Sequence, residues 1–278
     1  MRQKKEVKNY IISLKGKNME VKMSSFDMVI GYDAIKEELI QICDRVHNRQ
    51  SYEKIGAKFP HGMLLYGEPD LGKTLLVNCF ITETGLPAYT VRLNKENDDF
   101  IGNITDTFKE PKEHAPSIVF LDDMDKFANE DDEHINTPEY VAVQSGIDEV
   151  RESEVFVIAT ANAPQKFPDS LTRTGRFDRK IHAHRPTEND AVEIIKYYLK
   201  DKKVSELINM DDFAKMISYS SCAELETIIN EAALNAAYQK NEYIEMNNLV
   251  DAVLKMQYHS RDLTTDLSAE ETKKNSAA

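Results

Sequence analysis

The chain has 278 residues, 41% of them hydrophobic and 30% charged, with a formal net charge of −13, a globular make-up long enough to bury roughly 70–75% of the surface its unfolded chain would expose. No apolar run approaches the ~18–20 residues needed to span a bilayer. The acidic balance argues against nucleic acid as a partner, because affinity for phosphate backbones rests on clustered Lys and Arg.

The N-terminal MRQKKEVKNYIISLKGK is basic, but its apolar part, Tyr10 to Leu14, is too short for a signal peptide. Cys43, Cys79 and Cys222 lie far apart, with neither a CxxC pair nor a His at ligand spacing. An intracellular, cytoplasmic chain with buried free thiols is therefore expected, without a disulfide framework or a zinc site. Tyr32–His47 reads as a helix carrying Ile35, Leu39, Ile42, Cys43 and Val46 on one side. Short apolar runs follow at Met63–Tyr66, Ala88–Arg92, Ile118–Leu121, Val155–Ala159 and Lys180–Ala183, separated by helical or loop stretches. That alternation predicts an α/β domain built on a five-stranded, mostly parallel sheet covered on both faces. The acidic NEDDEH, Asn129 to His134, reads as a solvated loop. From Pro186 the strand signals stop, and helical patterns occupy Asn189–Lys200, Met210–Ile217, Ala223–Gln239 and Met246–Met256. In the third of these, Leu225, Ile228, Ile229, Ala232, Ala233 and Ala236 mark one buried face, so the C-terminal part is a small helical bundle.

Four stretches carry chemistry. GEPDLGKTLL, Gly67 to Leu76, satisfies G-x-x-x-x-G-K-[ST], and it follows a strand and opens an apolar helical run, the context the motif requires. In such a loop backbone N–H groups curl around phosphates, Lys73 neutralises the outer ones, and the Thr74 hydroxyl ligates Mg²⁺. SIVFLDDMDKF places Asp122 and Asp123 at the end of a buried strand, where one carboxylate can face the metal and the other the attacking water. VFVIATANAP brings Asn162 to the end of another strand, suited to orienting water near a γ-phosphate, and SLTRTGRFDR carries Arg173, Arg176 and Arg179. For Arg179 a structural salt bridge and a nucleotide role stand equally open.

The order of these motifs, with GRFDR and NEAALNAA, resembles the AAA+ ATPases and, within them, the FtsH type of ATP-dependent zinc metalloprotease. FDMVIGYDAIKEEL, KIGAKFPHGMLLYGEPDLGKTLL and SYSSCAELETIINEAALNAA are each similar to segments of that family, and the likeness runs from about Phe26 to the last residue. It implies a P-loop NTPase fold with a helical lid, divided as 1–25 N-terminal linker, 26–185 nucleotide-binding domain, 186–260 lid and 261–278 polar linker. LSAEETKKNSAA, Leu267 to Ala278, resembles the family's linker ahead of its protease motif, and the sequence contains no H-E-x-x-H. The resemblance thus makes the chain the motor portion of a longer protein, with no peptidase activity of its own. It puts the whole protein on the cytoplasmic face of a membrane if the family's transmembrane helices precede residue 1.

Carried over by residue, the resemblance assigns Ile30 and Gly31 to an adenine pocket, and the loop Gly67, Glu68, Pro69, Asp70, Leu71, Gly72, Lys73, Thr74 and Leu75 to the phosphates of ATP or ADP. Thr74 and Asp122 hold Mg²⁺, Asp123 activates water, and Asn162 is a sensor. Arg173 and Arg176 reach the neighbouring subunit's nucleotide, which implies a ring, a homo-hexamer in this family. Tyr198 and Ala223 fall in the lid beside the purine, with a core role for Tyr198 equally open. Phe100, Ile101 and Gly102 match the pore loop that grips polypeptide substrates, although Phe100 read alone is a buried core residue.

Departures from the pattern divide the function in two. Asp70 adds a negative charge to the phosphate loop, and its position calls for a left-handed backbone. Asp123 replaces a Glu and withdraws the carboxylate by roughly 1–1.5 Å, where a misplacement of about 1 Å can cost ~10²-fold in rate. The favoured reading is an ATP-hydrolysing motor that unfolds and moves polypeptide toward a protease domain. The alternative is a nucleotide-binding interaction module with weak or no hydrolysis.

Overall fold

The computed structural model describes residues 24–58, 60–93, 99–128, 137–163, 167, 169–173 and 175–258. The acidic stretch Asn129 to His134 and the polar tail lie outside these residues. Five strands form: β1 (Gly62–Tyr66), β2 (Ala88–Arg92), β3 (Ser117–Asp122), β4 (Val155–Ala161) and β5 (Arg179–His182). They make one sheet in the order β2-β3-β4-β1-β5, every neighbour parallel, as the alternation of strand and helix signals predicts.

Successive strand residues face opposite sides of the sheet, and in the central strands both sides are apolar. Leu64, Val119, Leu121, Val157 and Ala159 join one core. Met63, Leu65, Ile118, Phe120, Phe156 and Ile158 join the other. The first core is closed by α4 (Phe100–Glu113) and α5 (Pro138–Val150), which bring Ile104, Phe108, Tyr140, Val143 and Ile147. The second is closed by α1 (Asp33–His47) and α3 (Lys73–Thr84), which bring Ile35, Leu39, Ile42, Leu76 and Phe80. The short α2 (Arg49–Lys54) follows α1, and α6 (Asp169–Thr172) precedes the arginine turn.

Beyond β5 the described chain is helical: α7 (Glu188–Leu199), α8 (Met210–Met216), α9 (Cys222–Tyr238) and a last helix over 246–258. The starts of α7 and α9 are set by capping boxes, Thr187 with Asp190 and Ser221 with Glu224, which satisfy helix N–H groups that would otherwise lack partners. These helices share a separate core that includes Ile195, Phe213, Leu225, Ile229 and Leu249. Ile30, from the segment before α1, packs against it. Among the described residues no helix is long and apolar enough to cross a membrane.

Candidate functional site

The sheet order lays the carboxyl ends of β3, β4 and β1 side by side, the place where open parallel sheets bind ligands. Three candidate residues or loops leave from there: Asp122 from β3, Asn162 just after β4, and the loop from Gly67 after β1. Gly67 has φ 153, and a Cβ there would lie 2.2 Å from the Ala183 carbonyl oxygen, so only glycine lets the loop turn so close to the chain after β5. Asp70 has φ 60, the left-handed backbone its position calls for, and its side chain faces solvent. Leu71 is buried, and its carbonyl accepts a hydrogen bond of 3.0 Å from the Tyr32 hydroxyl, which also donates to the His184 carbonyl at 2.7 Å. Tyr32 thereby ties the phosphate-type loop to the segment after β5, and burial raises its phenol far above the ordinary value.

Lys73 is the second anchor. Only 6% exposed, it donates to the carbonyls of Gly67 (2.9 Å) and Glu68 (2.6 Å) and to Asn162 Oδ1 (2.7 Å). Burial lowers its pKa, while the carboxylates of Asp123, Asp125, Asp70 and Asp122 act in the opposite sense. Asn162 is oriented in turn by its backbone N–H, which donates to Asp125 Oδ1 at 3.0 Å. The Thr74 hydroxyl donates to Asp122 Oδ1 at 2.9 Å, and Thr160, on β4, donates to the same oxygen at 2.9 Å. Thr160 also accepts from the Asp123 N–H at 2.8 Å, so one hydroxyl aligns both acidic residues. Sequence reading passed over Thr160 and Asp125, whose only signals were their places beside Asn162 and Asp123.

A cavity of about 450 Å³ opens over these groups. Asp70, Lys73, Thr74, Asp123, Asn162, Tyr198 and Ala223 line it, together with Arg92, Lys126 and Glu226, which sequence reading had not singled out. Asp123 adopts φ 52 and its Oδ2 pairs with Lys126 Nζ at 2.7 Å. Asp122 Oδ2 lies 3.4 Å from Arg92 Nε. Cys222 also lines the cavity and is half-buried, whereas Cys43 and Cys79 are buried as expected. Tyr198 is half-buried, its hydroxyl 3.3 Å from Glu226 Oε2, and burial, followed by Glu226, pushes its pKa up to about 12. Gly31 meets the lid closely, for a Cβ on it would fall 2.8 Å from the Asp190 carboxylate. Glu68 turns away from the cavity and pairs with Arg185, whose Nε is 2.7 Å from Glu68 Oε2 and whose guanidinium also bonds the Tyr219 carbonyl. That arginine straps the loop to the lid.

The arginines diverge. Arg179 pairs with Glu38 on α1 at 3.1 Å, the structural salt bridge that the sequence left open. Arg173 is exposed. Arg176 is 4% exposed and clamps Asp148 with two bonds, of 2.8 and 2.6 Å, while a third nitrogen bonds the Ser170 carbonyl and the Gln144 amide lies against the same group. The Arg176 guanidinium is thus enclosed within its own chain, whereas Arg173 meets solvent. Phe100 likewise turns inward: it opens α4, capped by Asp99, which accepts from the Gly102 N–H at 2.9 Å, and its ring meets Phe127 edge-on at 5.4 Å. Of Phe100, Ile101 and Gly102, it is Ile101 that presents an apolar side chain outward.

Residues 63–185 match the model of the ATPase family associated with various cellular activities (AAA). Among curated proteins, the chain is 34% identical over 242 residues to the ATP-dependent zinc metalloprotease FtsH 2 of Salinibacter ruber, covering 82% of this chain and 35% of that protein. It is 32% identical over 244 residues to the ATP-dependent zinc metalloprotease FtsH of Leptotrichia buccalis, covering 83% and 32%. To the protein of the same name from Helicobacter pylori it is 31% identical over 250 residues, covering 85% and 39%. The chain thus spans about a third of the length of these relatives.

Proposed function

From the premise that the chain carries an AAA ATPase module of the FtsH type, we propose that it binds ATP with Mg²⁺ in the cavity above β1, β3 and β4 and hydrolyses it. The observation that carries this reading is the joint placement of Lys73, Asn162, Thr74 and Asp122, linked by hydrogen bonds of 2.7 and 2.9 Å at the start of α3. The free N–H groups of that helix start and the Lys73 ammonium suit a triphosphate. The Thr74 hydroxyl and the Asp122 carboxylate are hard oxygen donors that fit Mg²⁺, which typically takes one or two protein oxygens and completes its shell with phosphate and water. When bound, Mg²⁺ would neutralise charge developing on the phosphates.

In this reading Ile30 and Gly31 form the adenine side, Tyr198 and Ala223 the lid wall, and ADP is released in turn. Asp123 accepts the proton of the attacking water, Asn162 orients that water, and Arg173 acts on the nucleotide of a neighbouring copy in a homo-hexameric ring. Residues 26–185 are the nucleotide-binding domain and 186–260 the lid. The whole protein uses the motor to unfold and deliver polypeptide to a zinc metalloprotease domain, with the segment Phe100 to Gly102 toward the pore. Two observations favour the second reading, binding with little hydrolysis: the Asp123 carboxylate is held by Lys126, and Arg176 is held by Asp148.

Phosphate release from MgATP, measured at increasing protein concentration beside an Asp123→Glu variant, decides between them. Turnover that grows with concentration and rises further in the variant supports the motor. Tight nucleotide binding with no turnover in either protein supports the second reading.

A further inference from the structure

The cavity contains two cations that the phosphate-binding motif does not supply. Arg92 ends β2, directly opposite Asp122 in the β2–β3 register, and its guanidinium lies 3.4 Å from Asp122 Oδ2. Lys126 ends the single turn after Asp123 and lies 2.7 Å from Asp123 Oδ2. Each acidic residue expected to serve the metal and the water is therefore already paired with a positive side chain. Asp122 is the more fully engaged, since its other oxygen takes the hydroxyls of Thr74 and Thr160. The two cations stand in solvent: their side chains are 68% and 56% exposed, whereas Asp122 is 3% exposed and Asp123 20%.

Ion pairs with one exposed, flexible partner contribute little, and a phosphate group offers more charge than a carboxylate, in a geometry that an arginine can match with two bonds. Arg92, Lys126 and Lys73 all line the same cavity, in a chain whose overall charge is −13. Their opposing charges there are Asp70, Asp123 and Glu226 on the walls and Asp122 beneath.

We propose that Arg92 and Lys126 are phosphate-binding residues, which pair with Asp122 and Asp123 until nucleotide arrives and then transfer to the outer phosphate oxygens of a nucleoside triphosphate, so that binding does not depend on Mg²⁺. This rests on the nucleotide reading of the cavity and specifies how the charge of the triphosphate is met. The metal remains necessary for hydrolysis but not for retention of the nucleotide. Lys126 thereby acts twice, screening Asp123 before nucleotide binds and contacting phosphate afterwards.

The test is calorimetric titration of ATP into the protein, once with Mg²⁺ and once with EDTA, for the wild type, Lys73→Ala, and Arg92→Ala with Lys126→Ala combined. The wild type is expected to keep its affinity within about tenfold on removal of the metal, and the double variant to lose about a hundredfold in EDTA, each charged contact being worth roughly a factor of ten. Arg92→Lys with Lys126→Arg should retain binding in EDTA, and an unchanged thermal midpoint of the empty variants separates contact from misfolding. The Lys126→Ala loss should persist in an Asp123→Ala background. Should it vanish there, Lys126 only screens Asp123 and the proposal falls. It falls equally if the wild type loses ATP in EDTA as severely as the double variant. If the wild type binds no ATP even with Mg²⁺, or Lys73→Ala binds as well as the wild type, the nucleotide reading fails and takes this inference with it.

Discussion

Two corners of the cavity are built differently. At the phosphate-loop corner, Lys73, Asn162, Thr74 and Asp122 are buried or half-buried and bonded in pairs, Lys73 to Asn162 and Thr74 to Asp122. At the other corner Asp123, which the proposed reading sets to act on water, is paired with Lys126, and away from the cavity Arg176, proposed from the sequence for a neighbour's nucleotide, is held by Asp148. Pre-assembly lowers the ordering cost of binding, whereas an engaged base or finger must first be released. Under the proposed function, the difference means that a nucleotide would meet a pre-formed site, whereas turnover would require rearrangement.

The largest expected effect lies at the first corner. Lys73→Ala should weaken ATP binding by more than ~10²-fold, since it removes the one buried cation that faces the phosphates and leaves two carbonyls and an amide oxygen without their donor. Calorimetry showing the wild-type dissociation constant would break the comparison outright. Outside the cavity, Arg173→Ala should lower turnover by a factor approaching ~10³, the low end for arginine fingers, with nucleotide affinity almost unmoved. Mixed with Lys73→Ala protein, which keeps its own Arg173, it should recover part of that activity in proportion to protein concentration. A mixture that stays as inactive as its parents, with mixed assemblies confirmed by crosslinking, would remove Arg173 from the trans role.

Arg176→Ala sharpens the contrast from the stability side. Loss of its two bonds to Asp148 should cost about 2 kcal/mol, read as a lower denaturant midpoint, whereas Arg173→Ala should stay within ~0.5 kcal/mol. Equal stabilities would mean that Arg176 is no clamp and can act as a finger after all. The smallest effect is expected of Thr160→Val, which keeps the shape of the side chain but deprives the Asp123 N–H of its acceptor and Asp122 of a donor. It should cost about 1 kcal/mol of stability, and weaken Mg²⁺-dependent turnover more than metal-free ATP binding.

Most of the α/β framework was legible because its signals are local. The three central strands are nearly continuous apolar runs, the edge strands β2 and β5 are mixed, and each observed strand lies within two residues of the run that announced it, as β4 shows by extending the expected Val155–Ala159 to Ala161. The helices α4 and α5 were not delimited in advance, although Ile104, Phe108 and Pro111 recur on one face of α4. The Pro and the flanking polar residues masked that spacing. Leu71, odd in a phosphate loop, found its explanation only in burial and in the distant Tyr32 hydroxyl.

The sequence by itself determined the strand order of motifs, the Gly67-to-Thr74 loop and the acidic pair after β3, because periodicity, glycine and residue type impose backbone shape over a few neighbouring positions. Tertiary structure alone decided which way the charged side chains turn. Arg173 and Arg176 are three residues apart and equivalent on paper, yet one meets solvent and the other meets Asp148, 28 residues earlier in the chain. Phe100 faces Phe127 rather than outward, and Arg92 meets Asp122 only because β2 and β3 are adjacent in the sheet. A long side chain settles on whichever partner best offsets the loss of its hydration, and that partner is supplied by packing between elements far apart in sequence.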